Sequence, residues 1–167
     1  MILLFFGKIL DTRDIKIKGV SEVTTNAKLE FKLAECNKNF GTALSIDLSG
    51  IQQQDSLKLN IVYETSPSAS ALQWLGANCT CGKECPYLFS QCQAIHARSI
   101  MPCQDTPFVK FTYDALVRCQ KPLIALMSAV QTGSEPKPND QIEYKFTQKI
   151  KIPSYLLAIV VGKLVGK

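Results

Sequence analysis

The stretch IEYKFTQKI, residues 142–150, decides the fold class of this 167-residue chain. Ile142, Tyr144, Phe146, Gln148 and Ile150 alternate with Glu143, Lys145, Thr147 and Lys149, and a period of two is the signature of a strand with one buried face. Pro153 stops the alternation, and the apolar run 155–162 reads as a last buried strand. Upstream, 123–129 is another apolar run suited to a buried strand, while 133–141 (GSEPKPNDQ), with two prolines and no apolar anchor, reads as a polar loop. Val109, Phe111 and Tyr113 alternate with Lys110, Thr112 and Asp114. Nearer the start, Ile15 and Ile17, then Leu29, Phe31 and Leu33, then Leu44, Ile46 and Leu48, then Leu57, Leu59, Ile61 and Tyr63 repeat the pattern. Turn-formers separate these runs at 37–41, 49–50 and 52–56. No segment carries a helical period. The expectation is an all-β chain of many short, largely antiparallel strands.

Composition narrows the function classes. The chain is 46% apolar and 20% charged, which is globular, with a net charge of +5 spread along strand faces. A nucleic-acid site would need a clustered basic stripe with aromatic platforms, and none is present. No run approaches the roughly 18 apolar residues of a membrane helix, and the short apolar start MILLFF lacks the flanks of a signal peptide. A soluble, cytoplasmic protein that binds neither membrane nor nucleic acid is expected. Cys79, Cys81, Cys85 and Cys92, with His96 nearby, invite a metal reading. Their spacing lacks the two separate knuckles of a structural zinc site, so free thiols are the favoured reading.

Candidate chemistry concentrates at 87–110, which holds the single His of the chain, His96. Cys92 and His96 are near in sequence, but a nucleophile–base pair is recognised by geometry and this spacing is common by chance. One His excludes an HExxH metalloprotease helix, and no Gly-rich phosphate loop is present. What remains is a polar edge. Gln91 and Gln93 would share a face if the segment is extended, and each carboxamide offers two donors and an acceptor. Arg98 and Asp105 could pair and pin the loop. On the residues alone, amides satisfying their own loop is the favoured reading.

Four stretches carry a resemblance: ETSPSASALQWL (64–75), GKECPYLFSQCQAIHARSIMPCQDTPFVKFTY (82–113), LIALMSAV (123–130) and YKFTQKIKIPSYLLAIVVGKL (144–164). They resemble the N-terminal domain of the peptidase family M1 zinc aminopeptidases, in the leukotriene A4 hydrolase branch. The CQAIH and PCQDTP motifs favour that branch over the arginyl aminopeptidase (aminopeptidase B) branch. The resemblance implies a saddle-shaped, multi-sheet β domain, here a single partial domain over 1–167, whose edge walls a substrate cleft. It implies that Gln93, with Gln91 and Ala94 beside it, contacts substrate, and that Arg98, Pro102, Cys103, Asp105 and Pro107 support the site loop structurally. It also implies a catalytic zinc and its ligands in a following domain that this chain lacks. The chain is then expected to have no cofactor or catalytic residue of its own, to pack on that domain and to be inactive alone. The substrates implied for the whole enzyme are peptides, with leukotriene A4 as an optional second substrate. The alternative is a non-catalytic β interaction module derived from such an enzyme. Cys79, Cys81 and Cys85 depart from the family pattern.

Overall fold

The computed structural model describes residues 7–51 and 56–166. The apolar start and most of the expected turn at 52–56 lie outside the described residues. The described residues form twelve strands and three single-turn 3-10 helices, so the all-β expectation holds. No helix among them is long and apolar enough to cross a membrane. The chain divides into two compact units. The first comprises residues 1–69 and 98–104, and the second 70–97 and 105–167.

The first unit carries β1 (Gly7–Thr12), β2 (Ile15–Glu22), β3 (Phe31–Leu33), β4 (Thr42–Asp47) and β5 (Leu59–Thr65). They form an antiparallel sheet ordered β1-β4-β3 and an antiparallel β2-β5 pair. Val20, Leu44 and Ile46 are buried between them, with Ile17, Phe31 and Ile61 among the residues packed around. The alternation of β2 contains a break that sequence periodicity does not show. Its register against β5 shifts between Ile17 and Gly19, and the extra residue changes parity. Ile15 faces inward before the shift, and Val20 and Glu22 face inward after it.

The second unit carries β6 (Leu72–Leu75), β7 (Tyr87–Ser90), β8 (Lys110–Gln120), β9 (Ile124–Met127), β10 (Val130–Lys137), β11 (Gln141–Pro153) and β12 (Ile159–Gly162). One sheet runs β10-β11-β8 and the other β6-β7-β12-β9. Ala125, Tyr144 and Phe146 form the core between them.

Three expectations are corrected here. Most of the stretch 133–141 is strand: β10 runs to Lys137, and the turn is confined to 138–140, where Asn139 and Asp140 take positive φ of 60° and 56°. Pro136 is tolerated because β10 is an edge strand, where a missing backbone donor need not break a ladder. The run 155–162 is not one strand, since a 3-10 turn at Ser154–Leu156 precedes β12. The alternation of β11 stops short of Ile150, which is 74% exposed, because the register against β8 shifts between Gln148 and Ile152. Glu143, on the face opposite Tyr144, is nevertheless buried, covered by Arg118 at 2.8 Å and Lys137 at 3.1 Å.

Glu22 is another inward carboxylate. It accepts the backbone N–H of Thr24 at 2.8 Å, the N–H of Thr25 and the Thr25 hydroxyl at 2.7 Å. These donors, Thr24 N–H first, hold its pKa at about 2 against an ordinary 4.5. A depressed folded-state pKa stabilises the fold above the unfolded value, and that contribution disappears as pH falls through the folded one. The thermal midpoint of the wild-type chain is therefore expected to fall between pH 4.5 and about 2. Glu22→Gln should lower the midpoint at neutral pH and flatten the decline in that window, as measured by circular dichroism melts across pH.

Candidate functional site

Strand β7 delivers the candidate site. It lies between β6 and β12, so both its edges are paired, and the ladder to β6 continues one step past its end through Gln91 N–H to Ala71 carbonyl at 2.8 Å. The chain then leaves the sheet and coils into a turn over 93–96, closed by His96 N–H donating to the Cys92 carbonyl at 2.9 Å. The Gln93–Ala94 peptide is cis. Ser70 Oγ lies 2.7 Å from His96 Nδ1. Both ends of the turn are thus tethered to the same two residues, Ser70 and Ala71, at the start of β6.

The two glutamines do not play equal parts. Both are exposed with buried Cys92 between them, as an extended segment would place them, but their carboxamides differ in what they meet. The Gln91 carboxamide oxygen accepts the Gln93 backbone N–H at 3.0 Å, a local hydrogen bond of the kind polar loop residues commonly make. Gln93 is exposed, and its carboxamide has no partner among the described residues. Ala94 is exposed beside it. Gln93 therefore presents two donors and an acceptor to solvent from a backbone fixed at both ends.

Cys92 and His96 do not make a nucleophile–base pair. The Cys92 side chain is 1% exposed, and burial, assisted by the charge of Asp105, pushes its thiol up to about 11. A thiol so far above neutrality supplies almost no thiolate, which is the reactive form.

The residues expected to support the loop divide between the two units, and each has its own partners there. Arg98, 5% exposed, lies in the first unit, where its guanidinium is 3.5 Å from the Asp11 carboxylate and donates to the Phe40 carbonyl. Cys103 is buried and exchanges backbone hydrogen bonds with Asp11 at 2.7 and 3.2 Å. Pro102, half-buried, precedes it. Asp105, 2% exposed, lies in the second unit and accepts the Ser154 hydroxyl at 2.6 Å. Pro107 occupies the second position of a turn closed by Val109 N–H to Thr106 carbonyl at 3.2 Å, a position its fixed φ suits. Sequence reasoning missed Ser70, Ala71 and Ser154. Only the serine and proline punctuation around them hinted at ordered turns.

The four-stranded sheet has a second apolar surface. Gln73, Phe89, Val160 and Leu126 are laterally paired, so they share a face. The neighbouring row, Leu88, Val161 and Ala125, turns to the core. Phe89 and Val160 are half-buried, Leu126 is 45% exposed, and the Tyr87 ring lies 5.8 Å from that of Phe89, tilted by 34°. Antiparallel sheets that bury one face ordinarily alternate to polar on the other, and this one does not. Among the described residues no three His, Cys, Asp or Glu side chains converge to hold a metal ion. The side chains present do not fit a zinc site.

A sequence profile for the Peptidase M1 N-terminal domain matches residues 8–156. The chain belongs to the M1 peptidase N-terminal domain family. It is 48% identical over 163 residues to leukotriene A-4 hydrolase of Xenopus laevis, spanning 95% of this chain and 26% of the frog protein. It is 42% identical to leucine aminopeptidase 2 of Yarrowia lipolytica, spanning 23% of that protein. The native leukotriene A4 hydrolase of Saccharomyces cerevisiae superposes on 95% of the chain and 23% of its own with a TM-score of 0.81 at 34% identity. An M1 zinc metallopeptidase of Deinococcus radiodurans, 17% identical over 93% of this chain and 34% of its own, shares the fold with a TM-score of 0.72. The M1 domain described here thus spans about a quarter of the length of its curated relatives.

Two outcomes test the site's construction. Ser154→Ala leaves the buried Asp105 carboxylate without its hydroxyl donor and should cost about 1.5–3 kcal/mol, read from urea denaturation. Cys92 should resist iodoacetamide at neutral pH while exposed Cys36 reacts, and should become reactive on unfolding; peptide mapping distinguishes the two.

Proposed function

We propose that this domain forms the non-metal wall of the substrate cleft in an aminopeptidase of the leukotriene A4 hydrolase type, with Gln93 as its principal peptide contact. The observation that carries the reading is the contrast between the two amides: the Gln91 oxygen is taken by a backbone N–H of the turn, and the Gln93 carboxamide has no partner among the described residues. The Gln93 oxygen can accept from the ammonium of a peptide's amino end, and its two N–H groups can donate to a carbonyl, without adding a charge to the cleft. Gln91 and Ala94 shape the floor beside it. The family membership supports the aminopeptidase class.

The remainder of the active site is supplied by a further domain. In the family that domain carries zinc, which polarises the scissile carbonyl and activates water. This chain's residues bind and orient substrate. The apolar outer face around Phe89 and Leu126 is suited to packing against that domain.

The reading is tested first on the transcript. An open frame continuing past Lys167 into an HExxH segment is expected, and a genuine stop there would overturn the reading and favour a non-catalytic β module. In the enzyme encoded by that frame, Gln93→Ala should lower kcat/KM for aminoacyl-amide substrates by roughly ten- to a hundredfold, the loss of one or two hydrogen bonds to a charged group. Gln91→Ala should cost less. The isolated chain with added zinc should show no turnover; zinc-dependent turnover would sink the assignment.

A further inference from the structure

The loop joining β6 to β7 holds Cys79, Cys81 and Cys85 within seven consecutive residues, and the candidate cleft makes no use of them. Cys79 and Cys81 are exposed and Cys85 is half-buried. The loop is ordered by its own bonds. Thr80 Oγ lies 2.7 Å from the Ala77 carbonyl and 3.1 Å from the Cys85 carbonyl, sharing its proton between them. Lys83 N–H donates to the Thr80 carbonyl at 3.2 Å, and Lys83 takes a positive φ of 52°, so the chain reverses directly after Cys81. Residue 85 is thereby returned to residue 80, which Cys79 and Cys81 flank. At its far end the loop is fastened by the Glu84–Lys163 ion pair.

We propose that this loop is a thiol-oxidation site, in which Cys85 forms a disulfide with one of the two cysteines flanking Thr80 when the protein meets a peroxide. The three thiols do not converge as a metal cage, whereas a disulfide needs only two sulfurs on backbone segments already folded together. One loop thiolate attacks an oxygen of hydrogen peroxide, the O–O bond breaks, and the departing hydroxide takes up the thiol's proton as water. The second thiol then attacks the resulting sulfenic sulfur, the S–O bond breaks, and a second water leaves. Two thiols lose two electrons and two protons, and the peroxide is reduced to two waters. The crosslink would pin the hairpin whose second strand leads into Gln91. This inference stands apart from the proposed cleft function and can fail without it.

The test is treatment of the folded chain with near-stoichiometric hydrogen peroxide, alkylation of the remaining thiols and peptide mass mapping. A disulfide joining Cys85 to Cys79 or Cys81 is expected, reversed by dithiothreitol. It should be abolished by Cys85→Ser and by one of Cys79→Ser and Cys81→Ser, and retained in Cys36→Ser. Unchanged circular dichroism of Cys85→Ser excludes misfolding as the cause. A Cys79–Cys81 crosslink, an intermolecular disulfide, or oxidation of single thiols to sulfinic acid with Cys85 recovered alkylated would each overturn the proposal.

Discussion

The second unit depends on the register of β11. Paired with β10 on one side and β8 on the other, it has no freedom to slip, because a one-residue shift would exchange every buried side chain for an exposed one. That register puts Tyr144 and Phe146 into the core, with Ala125 beneath them. It also sets the end of the strand. After the shift near Ile150, β11 closes at Pro153, and the next residue, Ser154, meets Asp105. The charge of Asp105 in turn bears on Cys92, in the middle of the candidate site. A core-packing constraint is thereby passed to a surface loop by backbone pairing and one short hydrogen bond.

The candidate site illustrates how a polar loop is divided between structure and function. Backbone donors must find acceptors, and the turn at 93–96 spends the Gln91 carboxamide oxygen and the Cys92 carbonyl on that requirement, while the Ser70 hydroxyl holds the His96 ring. Whatever polar capacity remains is available to a ligand. Gln93 stands out because its neighbours meet the turn's needs. A side chain carried on a backbone fixed in this way has less entropy to lose on meeting a partner.

Buried charge is handled in the same way in each unit. Glu22 is enclosed by two backbone donors and a hydroxyl, and Glu143 by Arg118 and Lys137. A carboxylate taken out of water is tolerated only when its lone pairs are met. Both residues follow from parity: one faces inward after a bulge, and the other lies under long cationic side chains from neighbouring strands.

The amino-acid sequence by itself determined the fold class. Strand periodicity is local, and β8, with Phe111, Tyr113, Ala115, Val117 and Cys119 all turned inward, shows it without interruption. It also determined the family, through motifs around Gln91–Asp105. What only the tertiary structure decided were features set by partners distant in the chain. Pro136 could be strand because β10 is an edge, and Ile150 turned outward because β8 shifts against β11. Gln91 and Gln93 parted company because a turn anchored on Ser70 and Ala71 used one amide and spared the other. Periodicity reports which side of a strand a residue occupies; it does not report what lies opposite, and hydrogen-bond satisfaction is settled there.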